Sequence, residues 1–331
     1  MKYLILTFVI FLFLAEIAVS QKLIISSNDS TLKTKKLNVF SILYRGDSTY
    51  RKAYVDSTMY ADFWDTIPQP NFWAKLMHLS ADSGFMSVAN TRKIIDKNSV
   101  AFYSALNDIQ KNNYRDSLRK EYGLTDSTRL FFTTGKKYFY SFKTVIPNID
   151  QSIPVFIENN VDPWYAQSIL LIESPNKLQK SNAGAYGPFQ LMKFVARKYG
   201  LTINKTTDER GDIKRSAYAA SMFINKICIP TVKNILDSLR ITYKENDLWF
   251  RLLVMHVYHA GGGNVQNVLY MIKPKEGGLP LIYTVWQTQA GSFRNASQNY
   301  SQVLLAALRE FHNLRPHILY VYQTQVIDCT S

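Results

Sequence analysis

The sequence predicts a mainly α protein, with a helical C-terminal half preceded by an N-terminal region that is either α+β or helical. Three observations carry this expectation. Of 331 residues, 47% are apolar and 19% charged, the balance of a chain that buries a core and not of a disordered one. From about residue 151 onward, apolar residues recur at helical spacing between caps and stops. Two cysteines exclude a disulfide scaffold and any Cys-rich zinc or iron–sulfur module. At about 150 residues per domain the length holds one large domain or two modest ones. The boundaries read from the sequence are a leader at 1–20, an N-terminal region at 21–150, a helical domain at 151–315 and a tail at 316–331.

The leader reads as a secretory signal. Lys2 supplies a positive start, Leu4 to Leu14 is an apolar run broken only by Thr7, and Ala18 and Ser20 are the small residues a signal peptidase inspects. Glu16 ends the run short of the roughly 20 apolar residues of a spanning helix. An uncleaved anchor is the alternative; no later stretch is apolar enough to span, so no stable membrane span is expected after cleavage. Cleavage removes one Lys and one Glu, and the mature chain keeps the +14 that 39 Lys+Arg against 25 Asp+Glu produce. A basic exported chain suits polyanionic surroundings such as cell-wall polymer, anionic lipid or extracellular nucleic acid. The charge is scattered, however, and no basic–aromatic motif or groove-reading helix supports nucleic acid as a partner.

Residues 21–150 are rich in Ser, Thr, Asp and Tyr and poor in Gly. Lys36 to Tyr44 is expected as a strand on Val39, Phe40, Ile42 and Leu43, and Ser99 to Tyr122 as one helix stopped by Gly123. No chemical motif stands out here. Beyond residue 151, Asp162-Pro163 places an N-cap before a proline at the first helical position. That helix runs through Trp164, Tyr165, Ile169, Leu170 and Ile172 to Glu173, and Pro175 ends it. A glycine-punctuated loop, Ser181 to Pro188, leads into a helix from Phe189 to Tyr199 that stops at Gly200. Asp212 caps the next, with Ala217, Ala220, Phe223, Ile224 and Ile227 on its inner side. Further helices are expected from Asn246 to Ala260 and from Tyr300 to His312. Cys228, between Ile227 and Ile229, reads as a buried thiol; pairing with Cys329 is a weaker alternative.

Glu173 closes the run Ile169-Leu170-Leu171-Ile172. A carboxylate pressed into an apolar helix face loses hydration, which lifts its pKa toward neutrality, the condition of a general acid. On the helix alone, a glutamate on one solvated stripe is the simpler reading. Its company decides otherwise. Glu173-Ser174, then Ser181, Ala183-Gly184-Ala185, Gly187 and Gln190, resemble the signature of the soluble lytic transglycosylase family. In order downstream, Asp208-Glu209-Arg210-Gly211-Asp212 with Ser216-Ala217 and Ala219-Ala220 look like a segment of the membrane-bound D type. Tyr258-His259-Ala260-Gly261 is similar to the family's Tyr-Asn-Ala-Gly, and Ser297 to Ser301 to its closing helix. These motifs span roughly residues 160–312, about half the chain.

The resemblance implies a goose-type lysozyme-like fold and cleavage of the β-1,4 bond between N-acetylmuramic acid and N-acetylglucosamine in peptidoglycan, in the periplasm or cell envelope. Glu173 would act as acid and then as base on the muramyl C6 hydroxyl, giving a 1,6-anhydro sugar. Ser181 and Gln190 would hydrogen-bond the sugar, the Tyr258 hydroxyl would point at Glu173 or the intermediate, and Tyr300 would line the cleft. Gly184 and Gly187 are expected at positive φ. Asp208, Arg210 and Asp212 are expected to pair with one another and cap the next helix; an aspartate facing the cleft could instead position a water. His256 and His259, at i, i+3 with no third ligand nearby, read as helix-surface residues, so no metal and no cofactor is expected. The chain departs from the family at Pro188-Phe189, at His259 in place of asparagine, and at Ala296 in place of glutamate. Two alternatives stay open: a hydrolytic muramidase of the same fold, and a catalytically silent glycan-binding envelope protein.

Overall fold

The computed structural model describes residues 34–44, 48–56, 58–173, 180–314 and 318–327. The signal reading, Ser174, Pro175 and Cys329 therefore lie outside the described residues. Residues 38–323 fall in one compact unit, and the strand residues 34–37 and 324–327 fall in a second.

The region before residue 151 is α+β. Strands β1 (Thr34–Tyr44) and β2 (Arg51–Tyr54) pair antiparallel, Val39 opposite Tyr54 and Ile42 opposite Arg51. The expected strand at Lys36 to Tyr44 is thus present. A third strand, Ile318–Ile327, lies on the other side of β1 and is β6 in chain order. After a short helix α1 (Thr58–Ala61), α2 (Pro68–His78) starts on prolines at its first turn, where their missing N–H costs nothing. A second antiparallel sheet places β3 (Ser83–Val88) between β4 (Ile94–Ser99) and β5 (Leu130–Thr134). Met86, Val88, Ile95, Leu118 and Leu130 make its core.

The single helix expected over Ser99 to Tyr122 is two, α3 (Val100–Ala105) and α4 (Asp108–Glu121). Asn107 accepts from the Gln110 amide while the Gln110 side chain accepts from the Asn107 amide, a capping box that restarts the chain on a new axis.

The C-terminal half is helical: α5 (Phe142–Glu158), α6 (Trp164–Glu173), α7 (Lys193–Lys198), α8 (Ile213–Phe223), α9 (Ile229–Ser238), α10 (Leu248–Ala260), α11 (Gly262–Ile272), α12 (Leu279–Gln287) and α13 (Asn295–His312). A π turn at Ile224–Cys228 joins α8 to α9, and the Cys228 thiol is buried and free. Helix α6 lies at the centre, packed against α5 and α13; α13 also packs on α10 and, from the N-terminal region, on α2. As expected, Asp212 caps α8 by accepting from the Arg215 amide at 2.8 Å.

The helix expected from Phe189 is confined to α7. Tyr186 and Leu191 exchange backbone hydrogen bonds across a tight turn, with Gly187 at φ 86° and Gln190 at φ 45°. A Cβ at Gly187 would fall 1.8 Å from the Arg210 carbonyl oxygen, so that backbone approach requires glycine. Among the described residues, no helix is long and apolar enough to cross a membrane.

Candidate active site

Every α6 residue from Trp164 to Ile172 is buried, so the helix has no solvated stripe for Glu173 to belong to. Glu173, in the last turn, is half-buried. The Tyr300 hydroxyl on α13 donates to Glu173 Oε1 at 2.8 Å. Burial lifts the glutamate pKa from 4.5 to about 7, and the Tyr300 hydrogen bond holds it from going further. At neutral pH such a carboxyl both holds and releases a proton, as an acid–base catalyst must.

Three tyrosines sense the Glu173 charge: Tyr140 in the loop before α5, Tyr258 on α10 and Tyr300. Burial first and the glutamate charge second push each phenol up, so all three remain protonated donors. Tyr300, expected only to line a cleft, is the one bonded to the acid. The Tyr258 hydroxyl, expected at Glu173 or the intermediate, donates to the Phe189 carbonyl at 2.6 Å, beside Gln190. Sequence reasoning missed Tyr140, since nothing in Tyr138-Phe139-Tyr140 distinguishes one ring from the next.

The two histidines part company. His259 keeps solvent exposure, as expected, and its ring stacks on Tyr300 with centroids 4.2 Å apart and 20° between planes. His256 is fully buried, a correction to its surface reading. The cause is that α10 is buried from Leu248 to Val257 and offers a histidine no open side. Its Nε2 lies 2.8 Å from Ser301 Oγ, which also accepts from Trp286 Nε1 at 2.7 Å. Burial lowers the His256 pKa to about 3, so the ring is neutral.

The segment from Gly184 to Leu191 is held by Arg210, which is 1% exposed. Its Nη1 donates to the carbonyls of Gly184 (2.9 Å) and Leu191 (2.8 Å). Its Nε and Nη2 grip Asp208 Oδ1 (2.8 Å) and Oδ2 (2.6 Å) in a fork. Asp208 and Arg210 thus pair as the sequence led one to expect. Ser181 Oγ accepts from the Ala185 amide at 2.9 Å, and Gln190 Nε2 donates to the Gly187 carbonyl at 3.0 Å. Both side chains shape the loop they sit on, and Gly184 and Gly187 take the positive φ foreseen for them. Among the described residues, no three His, Cys, Asp or Glu side chains gather as a metal site.

Residues 157–275 match the family described as Transglycosylase SLT domain. No curated protein matches the chain significantly. The matched segment holds Glu173, Ser181, Gln190, Arg210 and Tyr258; Tyr140 and Tyr300 fall outside it. An SLT domain therefore stands in the C-terminal half of a mainly helical chain, and it supports a lytic-transglycosylase type of glycan-cleaving function on peptidoglycan.

Proposed function

We propose that this chain is an exported peptidoglycan lytic transglycosylase that uses Glu173 as its single acid and base. The observation that carries the proposal is a half-buried carboxyl poised near neutrality under a tyrosine hydroxyl, inside an SLT domain. Protonated Glu173 gives its proton to the oxygen bridging muramyl C1 and the next sugar, and that C1–O bond breaks as positive charge develops at C1. The ionised carboxylate then takes the proton of the muramyl C6 hydroxyl, whose oxygen closes on C1. Glu173 regains its proton, a 1,6-anhydro end forms, and no water is added. Tyr300 stabilises the carboxylate between the two steps.

The lytic outcome is favoured over hydrolysis by what Asp208 and Asp212 do. Asp208 pairs with Arg210 through both oxygens and Asp212 caps α8, so both aspartates already have structural work. In this reading Ser181 and Gln190 meet the sugar from the loop, and Tyr258 places Gln190 by holding Phe189. The D-type resemblance rests on Asp208 to Asp212 and Ser216 to Ala220, and export on residues 1–20.

The test is mass analysis of the fragments released from purified sacculi by the mature protein and by Glu173→Gln. The wild type is expected to release anhydro ends, and Glu173→Gln to lower the rate by about 10³-fold or more. Cleavage should fade as pH rises through about 7, where the acid loses its proton. Products heavier by one water would replace this reading with the muramidase. No product from the folded wild type would leave the silent glycan binder.

A further inference from the structure

Three consecutive residues of α13, about 100° apart around its axis, each meet a different element. Asn299 faces the N-terminal region, where its Oδ1 accepts from Arg92 Nη2 at 2.6 Å. Tyr300 reaches Glu173 at 2.8 Å. Ser301 meets His256 on α10 and Trp286 on α12. The rotation of α13, and with it the place of the Tyr300 hydroxyl, is set from both sides.

Arg92 sits in the turn between β3 and β4 with φ 57°, its amide bonded to the Val88 carbonyl at 2.8 Å. It is 5% exposed, and among the described residues no carboxylate pairs with it. Its guanidinium stands over the rings of Phe72, Trp73 and Phe131, 5.4–5.6 Å from each centroid. Nη2 also reaches Asn295 Oδ1 at 3.3 Å, and Asn299 Nδ2 donates to that same oxygen at 3.0 Å. Burial lowers the Arg92 pKa to about 10, which leaves it a cation at neutral pH. A buried cation matched only by amide oxygens and ring faces is costly compared with an apolar residue of the same size. What the cation accomplishes is orientation: one guanidinium nitrogen, Nη2, holds the side chains of Asn295 and Asn299 next to Tyr300 while the plane stands over three rings.

We propose that Arg92 is a positioning residue for the acid, holding α13 in the rotation that lays the Tyr300 hydroxyl on Glu173. The consequence for cleavage rests on the function proposed above; the consequence for the Glu173 proton does not. The N-terminal region, in which no chemical motif is legible, thereby takes part in the site.

The experiment is a titration of the Glu173 carboxyl by carbon NMR in the folded, glutamate-labelled mature protein, its signal identified by loss in Glu173→Gln. The titratable groups facing this carboxyl are Tyr140, Tyr258 and Tyr300, with His259 stacked on Tyr300 and His256 behind it. The tyrosines titrate far above neutrality; burial holds His256 low, and partial loss of hydration where its ring stacks on Tyr300 lowers the exposed His259 too. Loss of the Tyr300 hydroxyl in Tyr300→Phe should tighten proton binding by about tenfold, since that bond favours the ionised form. Arg92→Met should tighten it in the same direction, and should add nothing in the Tyr300→Phe background. Arg92→Lys, which keeps the cation and loses the guanidinium plane over the rings, should fall between wild type and Arg92→Met. A folded Arg92→Met with the wild-type titration, or one whose effect adds fully to that of Tyr300→Phe, overturns the proposal. If Arg92→Met does not fold, an unchanged titration in Arg92→Lys overturns it equally. In parallel, the alkaline limb of cleavage should move upward in Arg92→Met. A wild type that titrates as described yet cleaves nothing would defeat the functional reading and leave the positioning role standing.

Discussion

Arg210 and Arg92 are both buried arginines, 1% and 5% exposed, and the regions they belong to treat them differently. In the SLT domain, Arg210 is neutralised two residues away by Asp208, satisfied further by two loop carbonyls, and laid over the Tyr186 ring. In the N-terminal region, Arg92 has no anion among the described residues; its partners are three rings, and two asparagines more than two hundred residues along the chain. The difference separates two uses of a buried charge. Arg210 is matched locally and builds the loop it sits in. Arg92 is matched poorly and at long range, which makes sense if its work is to orient α13 and not to stabilise its own turn.

The harshest way to break the comparison is Arg210→Met. It leaves the partly exposed Asp208 without its partner and the Gly184 and Leu191 carbonyls without donors, so about 4 kcal/mol of stability should be lost. Cleavage should fall with the order of the loop carrying Ser181 and Gln190. Urea unfolding of both proteins at neutral pH measures the first effect. A loss below about 1 kcal/mol would mean that Arg210 is no better matched than Arg92.

A second variant probes how the two regions join. Gln167 on α6 is 2% exposed and treats β2 as a neighbouring strand would. Its Oε1 accepts from the Tyr54 amide and its Nε2 donates to the Tyr54 carbonyl, each at 2.9 Å. Gln167→Leu leaves both backbone groups buried without partners, at a cost of about 3 kcal/mol. That figure should be reached in the intact chain by urea unfolding, and a neutral outcome would show that β2 contributes nothing to holding α6.

The contrast also explains which parts of the molecule were legible in the sequence. Glu173 could be read because its apolar run and the spacing to Ser181, Gly187 and Gln190 are local. The Asp208–Arg210 pair and the Asp212 cap are local for the same reason. The split between α3 and α4 was missed, although the capping pair Asn107 and Gln110 stands in the sequence, because helical periodicity continues across it. Phe189 to Leu191 close the turn that begins at Gly187, although the sequence reads as helix from Phe189, since the turn's shape depends on the Arg210 backbone, which approaches from outside the segment. Arg92, Tyr140 and the burial of His256 were invisible: each acquires its meaning from an element distant in the chain, and no spacing rule reaches that far.

The gentlest probe sets Arg210 against Glu173, a matched buried charge against an unmatched one in the same domain. The folded protein binds the Glu173 proton more tightly than the unfolded chain, since its pKa rises from 4.5 to about 7. The sign follows directly. Below 4.5 both states carry the proton and Glu173 costs nothing; between 4.5 and 7 stability falls as pH rises; above 7 the full penalty is in place. The span corresponds to about 3 kcal/mol, reduced to about 2 kcal/mol because the side chain keeps some contact with water. Glu173→Gln is nearly isosteric, still offers an oxygen to the Tyr300 hydroxyl, and cannot ionise. It should therefore be more stable than wild type by about 2 kcal/mol at pH 8, by less at pH 6, and equal at pH 4. Urea midpoints at those three pH values decide the matter. A gap that stays constant with pH would give Glu173 an ordinary carboxyl, no more strained by its surroundings than a surface glutamate, and would remove the poised proton on which the chemistry depends.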